Sequence, residues 1–206
     1  MSDLPSGPYN LGNLYAALGR TADAERQYRR AAAIDDQLFM AKANLALLLA
    51  AGGRVPEAET LLREAHALQP GQAGISFDLA LLLAEEGKRD EAERMLRAAL
   101  AADPRMAAAA FNLAVLVGER RPSEAVALAR KAAALRPDEP RYAWTLAFFQ
   151  SRSGDLRGAA QTLEALLRKH PEHDDAVHLL AEVYARQGRS AEAQALLRGR
   201  ATSPPR

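Results

Sequence analysis

A single pattern governs what this chain can fold into: leucine, then glycine or alanine, then two variable positions and a bulky one. It begins at Leu11-Gly12, Leu45-Ala46, Leu79-Ala80, Leu113-Ala114, Leu146-Ala147 and Leu180-Ala181, in steps of 34, 34, 34, 33 and 34 residues. An alanine follows each leucine 12 or 13 residues later, at Ala24, Ala58, Ala92, Ala125, Ala159 and Ala193. Further alanines recur at Ala31, Ala65, Ala99 and Ala132, and prolines at Pro70, Pro104, Pro137 and Pro171. The one irregularity is a missing residue in "GERRPSEA", between Gly118 and Ala125. A fixed period of this length means a repeated supersecondary unit that cannot bury its apolar face alone and must stack on its neighbours.

Each unit reads as helix, turn, helix. Apolar residues recur at helical spacing, as at Leu79, Leu82 and Leu83, and two such runs flank a turn. Gly19, Gly53, Gly87, Gly154 and Gly188 stand at that turn, where a left-handed residue ends the first helix. The small residue after each leucine, and the alanine of the second helix, remove bulk where two backbones approach. Pro56, Pro122 and Pro140 fit the first turn of a helix.

The stretch "YNLGNLYAALGRTADAERQYRRA" resembles the tetratricopeptide repeat signature through Leu11-Gly12, Tyr15, Ala24, Tyr28 and Ala31. The resemblance covers residues 5–200 as six units in register: 5–38, 39–72, 73–106, 107–139, 140–173 and 174–200, followed by a tail at 201–206. It implies an all-α fold, a right-handed superhelical solenoid of helix-turn-helix repeats. Departures from the pattern fall at the bulky first-helix position, which holds Lys42, Ser76, Ala110 and Ala143, and at Gly199 and Arg200, where the last helix is expected to stop near Arg198. Both ends look abrupt, which suggests a segment of a larger protein or an end covered by a partner, including self-association through uncapped ends.

Composition narrows the function classes. Lys and Arg total 27 against 26 Asp and Glu, a net charge of +1, so the excess of cations that phosphate binding needs is missing and no nucleic acid partner is expected. With no cysteine, thiolate metal sites and a Cys nucleophile are excluded. The opening "MSDLPSGPYN" lacks a basic and then apolar leader, and no run approaches a membrane span, so no membrane insertion and a cytoplasmic location are expected. A periplasmic location follows instead if the chain is a fragment of a longer exported protein.

With the leucine of each unit as position 7, an α-helical wheel puts positions 4, 7, 8 and 11 on the core side and positions 2, 5, 6, 9, 12 and 13 opposite. In the resembled family this second face lines a concave groove. Asn10, Asn44, Asp78 and Asn112 all fall at position 6, a ladder of one rung per repeat, and Asn13 lies beside Asn10 at position 9. An amide side chain can both donate to and accept from a peptide unit, which suits an extended ligand. The alternative is that these asparagines hydrate the helix surface or bond locally. Position 5 carries Tyr9, Phe77, Phe111, Trp144 and His178, with Ala43 as the exception, and position 9 carries Leu47, Leu81, Val115 and Phe148. Such aromatics serve either as binding hot spots or as half-buried contacts between first helices, and Trp144 with Phe148 is the leading candidate for a pocket. Glu85, Glu119, Arg152 and Arg186 at position 13 make the groove acidic in its centre and basic toward its end. A carboxylate clamp of the family type is not expected, because Gly74 and Asp78 stand where its cations belong and a later register offers only Asn112 and Arg141.

Catalytic patterns are missing. "HPEHDDAVH" gathers His170, His173, Asp174 and His178, but it is the ordinary repeat boundary, so neither a metal nor another cofactor is expected. His66 reads as solvated, as do "RQYRRA" and "GERRP". The expectation is a non-enzymatic protein interaction scaffold that binds a peptide segment of a partner protein in its groove. The alternative is an accessory repeat domain of a larger bacterial enzyme or of a secretion, pilus or cytochrome assembly protein.

Overall fold

The structure, a computed structural model, describes residues 4–201, and the backbone alone for 199–201. The expected tail therefore lies, beyond residue 201, outside the described residues. The chain divides into two compact units, Met1–Pro104 and Arg105–Arg206. The first holds α1 (Ser6–Ala17), α2 (Thr21–Ile34), α3 (Phe39–Ala51), α4 (Val55–Leu68), α5 (Ala73–Glu85) and α6 (Arg89–Ala102). The second holds α7 (Ala107–Val117), α8 (Pro122–Leu135), α9 (Pro140–Arg152), α10 (Leu156–Lys169), α11 (Asp174–Arg186) and α12 (Ser190–Ala201). Twelve helices and no strands appear among the described residues, an all-α solenoid of helical repeats. Helix α12 runs to Ala201, past the stop expected near Arg198.

Helical hairpins are the local unit, and within each unit of the chain a second helix packs on the next first helix. Gly87 shows how a hairpin turns: its φ of +77° closes α5 in a conformation that costs an L side chain energy. The small residue at position 8 is fully buried at Ala46, Ala80, Ala114 and Ala147. At Gly12 the reason is steric, since a Cβ there would sit 2.5 Å from the Tyr28 ring. Pro56, Pro122 and Pro140 occupy helix first turns.

The core is wider than the wheel suggests. Position 3, placed at no face by the sequence, is buried at Ala41, Ile75, Ala109, Tyr142 and Ala176. Position 10 joins it at Leu82, Phe149 and Val183. Within each unit α3, α5, α9 and α11 touch both their own second helix and the preceding one, so more than a single stripe leaves water; α3 and α5 are accordingly apolar on nearly every side. Leu11 is the exception at position 7. It is 44% exposed where Leu45 is 2% exposed, and with Leu4, Leu14 and Leu18 it forms an uncovered apolar stripe.

The departures at position 4 are handled individually. Lys42 reaches Glu64 at 2.5 Å, and Ser76 shares a hydrogen bond of 3.1 Å with His66 Nδ1. His66 is therefore a half-buried partner between α4 and α5, not the solvated side chain the sequence suggests. Ala143 is too small to fill its place, and a cleft of about 380 Å³ opens beside it, lined by Thr162, Leu166, Lys169 and His170.

The arginines of "RQYRRA" are not simply solvated either. In the first unit Glu25 pairs with Arg29 and Arg54, and Glu57 with the same two arginines. Glu59 pairs with Arg63 and Lys88, and Arg63 with Glu91. The second set is the first shifted by one repeat, an ion-pair ladder across α2, α4 and α6 that holds the glutamates below the ordinary carboxylate range through their arginine and lysine partners.

The missing residue of "GERRPSEA" also has a structural counterpart. Helix α7 is 11 residues long, Gly118 keeps a helical φ of −56°, and the ring of Phe149 from α9 occupies the space where a Gly118 Cβ would be.

Candidate binding surface

In the first unit the outward positions of α1, α3 and α5 carry amides, small residues, the rings of Tyr9 and Phe77, the aliphatic Met40, Leu47 and Leu81, and two acids, Asp78 and Glu85, but no cation. Asn10 is exposed. Asn13 and Asn44 are engaged between helices: Asn13 Oδ1 accepts from Tyr28 Oη at 2.8 Å and from Asn44 Nδ2 at 3.0 Å, and Asn44 Nδ2 also lies 3.4 Å from Tyr9 Oη. Tyr9 and Tyr28 sit ring against ring at 6.2 Å. One amide cluster thus ties α1, α2 and α3 together, and what it still offers a ligand is limited by the lone pairs and protons left over.

Asp78 differs. It is half-buried on α5 between Phe77 and Leu79, with no hydrogen-bond partner among the described residues, and burial pushes its carboxyl up to about 6. Phe77 and Leu81, at positions 5 and 9 of the same helix, are half-buried, whereas Leu47 on α3 is exposed.

The second unit presents other chemistry. Asn112 Nδ2 donates to Ala108 O of its own helix at 2.8 Å, and the next two position-6 residues, Thr145 and Leu179, are buried, so the polar ladder ends there. Phe111 packs on Tyr142 at 5.0 Å, and the Arg141 guanidinium lies 5.3 Å from the Phe111 ring and 5.0 Å from that of Tyr142. Trp144 and Phe148 stack at 5.4 Å with planes 14° apart, Phe149 meets Phe148 edge-on, and Arg152 lies 5.7 Å from the Phe148 ring. Arg186 Nη1 donates to Ser151 Oγ at 2.7 Å, which brings a cation from α11 to the end of α9.

Beneath this face the buried Gln150 meets the half-buried Thr162 and the exposed Asp155. Thr162 Oγ1 donates to Gln150 Oε1 at 2.9 Å, while the Asp155 carboxylate caps α10 by accepting from Gly158 N at 2.9 Å. Gln150 takes the position filled by Leu49, Leu83 and Val117 in other repeats. The buried Tyr142 and Ser151 support this surface from beneath and Arg152 lies on it; the wheel positions of Ser151 and Arg152 pointed there and that of Tyr142 did not, and the Arg141, Trp144, Phe148, Arg152 spacing was the available signal. At "HPEHDDAVH", His173 Nδ1 accepts from Ala176 N at 3.3 Å and so caps α11, and no metal-binding group of side chains occurs among the described residues.

Family models described as tetratricopeptide repeat match residues 9–73, 48–114 and 151–202. The chain belongs to the tetratricopeptide repeat family. No curated protein matches it closely enough to count as a relative. Among solved structures it is similar to pilF of Pseudomonas aeruginosa, at 22% identity and a TM-score of 0.74, covering 97% of this chain and 93% of that one. MamA of Desulfovibrio magneticus RS-1 is similar at 22% identity and TM-score 0.73, with 84% and 99% covered. YrrB, described as a tetratricopeptide repeat protein with an unusual peptide-binding site, is similar at 16% identity and TM-score 0.72, with 83% and 89% covered. At these identities the likeness is one of fold, and the tetratricopeptide fold is that of a protein interaction scaffold. No helix among the described residues is long and apolar enough to cross a membrane.

Proposed function

We propose that this tetratricopeptide repeat chain is a non-enzymatic scaffold whose first-helix faces take up a peptide segment of a partner protein. The observation that carries the reading is the stacked Trp144 and Phe148 pair on α9, half-buried and held by Phe149, a rigid aromatic surface of the kind that anchors binding energy. Phe111 on α7 offers the same type of surface in the second unit, and Phe77 and Leu81 on α5 offer one in the first. The peptide-binding site ascribed to YrrB supports the reading at the level of fold.

Trp144 is the only tryptophan, so its fluorescence reports on this surface directly. In a selection from a random-peptide display library, enriched peptides should shift that fluorescence. Phe148→Ala should weaken their binding by about 30-fold, the effect of losing one hot spot. A library that yields no binder, or binders indifferent to Phe148→Ala and Phe111→Ala, overturns the proposal.

A further inference from the structure

We infer that the first-helix face of the second unit is selective for an acidic peptide segment, one that lays an aromatic or aliphatic side chain on the Trp144 and Phe148 rings and sets carboxylates against the arginines at either end. The inference rests on the peptide-binding reading above and specifies its ligand.

Its basis is the order of residues along α9. Arg141, Trp144, Phe148 and Arg152 are separated by 3, 4 and 4 residues, which puts them on one face of the helix. At 1.5 Å per residue the arginines are about 16 Å apart along the axis, the reach of roughly five extended residues. Each guanidinium lies near an aromatic ring, Arg141 at Phe111 and Tyr142 and Arg152 at Phe148, so the cations are positioned before a ligand arrives. A guanidinium has five N–H donors and no acceptor. Arg152 meets no carboxylate among the described residues, and Arg141 has only a 3.4 Å approach to Glu139 and a 3.4 Å contact to Tyr142 Oη. Arg186, held by Ser151 and 3.8 Å from Glu182, adds a second cation beside the Arg152 end.

No acidic residue occurs anywhere in Pro140–Arg152. The acids beside it are Asp175 and Glu182 on α11 and Glu119 just past the end of α7, and none stands between the two arginines of α9. The first unit offers the opposite, Asp78 and Glu85 with no cation, and would repel such a segment. A nucleic acid ligand is disfavoured because affinity for a polyanion grows with the number of neutralised phosphates, and three arginines in a chain of net charge +1 supply few.

The test uses the same display selection on the full chain, read for composition. Enriched peptides should carry Asp or Glu on both sides of an aromatic, Leu or Pro, and their affinity should fall as salt is raised. Arg152→Glu, at an exposed site, should leave the melting curve in place, weaken the best peptide by about tenfold, and regain binding with a version of that peptide in which only the acid facing position 152 is changed to Lys. Enrichment of neutral or basic peptides, or indifference to Arg152→Glu, overturns the inference. If such peptides still depend on Phe148, the peptide-binding reading survives; if no peptide is enriched, both fall. Competition by oligo-dT at the peptide's own affinity would assign the face to nucleic acid and also overturn it.

Discussion

The two units fold the same hairpin three times each and use it differently. In Met1–Pro104 an ion ladder runs along the outside, through Glu25, Arg29, Arg54 and Glu57 and again at Glu59, Arg63, Lys88 and Glu91, Asn13 joins Tyr28 to Asn44, and Ser76, bonded to His66, is the one buried polar side chain among the described residues. In Arg105–Arg206 polar residues move inside, with Thr145, Gln150 and Ser151 buried, and arginines stand on aromatic rings at the surface. Position 8 is small in all six repeats, but outward positions diverge, because packing constrains the first strictly and the second only through water or a ligand.

The sharpest way to break this contrast is at position 12. The first unit already accepts alanine there, at Ala50 and Ala84, whereas Gly118 faces the Phe149 ring. Gly118→Val should cost about 3 kcal/mol in urea unfolding through forced overpacking; a neutral result would mean that α7 and α9 do not approach as described. Next comes Asn13→Ala, which strips Tyr28 Oη and Asn44 Nδ2 of their common acceptor and should cost about 2 kcal/mol. Asn112→Ala, losing only a bond to its own helix, should cost less than about 0.5 kcal/mol by the same measurement. Equal costs would erase the distinction between an asparagine engaged across helices and one bonded only to its own helix.

Asp78→Asn should act in the other direction. An acid raised from 3.8 to about 6 in the folded state binds its proton more tightly folded than unfolded, so stability is highest below the unfolded value and declines as pH rises between the two. The amide should therefore stabilise the protein at pH 7 by about 1 kcal/mol, after allowance for its remaining solvent contact, and by nothing near pH 3. A pH-independent difference between the melting curves would remove burial as the cause. The smallest effect belongs to the ion ladder: 1 M NaCl should lower the melting temperature by no more than about 2 °C, through screening of exposed pairs.

The repeat was readable because period and side-chain size are properties of the chain itself: Leu45, Leu79, Leu113 and the alanine after each had to meet a neighbour of identical design. The outward aromatics were readable for the same reason, as angles on one helix. What a second helix delivers to them was not. That Tyr28 spends its hydroxyl on Asn13, that Phe149 enters the space beside Gly118, and that Arg152 lies against Phe148 all depend on how helices cross or on which rotamer a long side chain takes. Asp78 illustrates the limit, since its position gave a direction and its half-burial came from the apolar residues around it.

The ion ladder bears on how such a chain can change length. The first two repeats of the first unit carry Glu and Arg on their second helix to meet an Arg or Lys and a Glu one repeat further on, at separations of 28 and 29 residues. A tandem duplication of residues 39–72 would meet the same partners on both sides, Glu59 and Arg63 of the older copy joining Arg54 and Glu57 of the newer. The ion pairs at the seam created by such a duplication would be those already present, so on its outer face the first unit can lengthen by whole repeats with no new ion pair, while the inner contact of His66 with Ser76 would be replaced by one with Lys42.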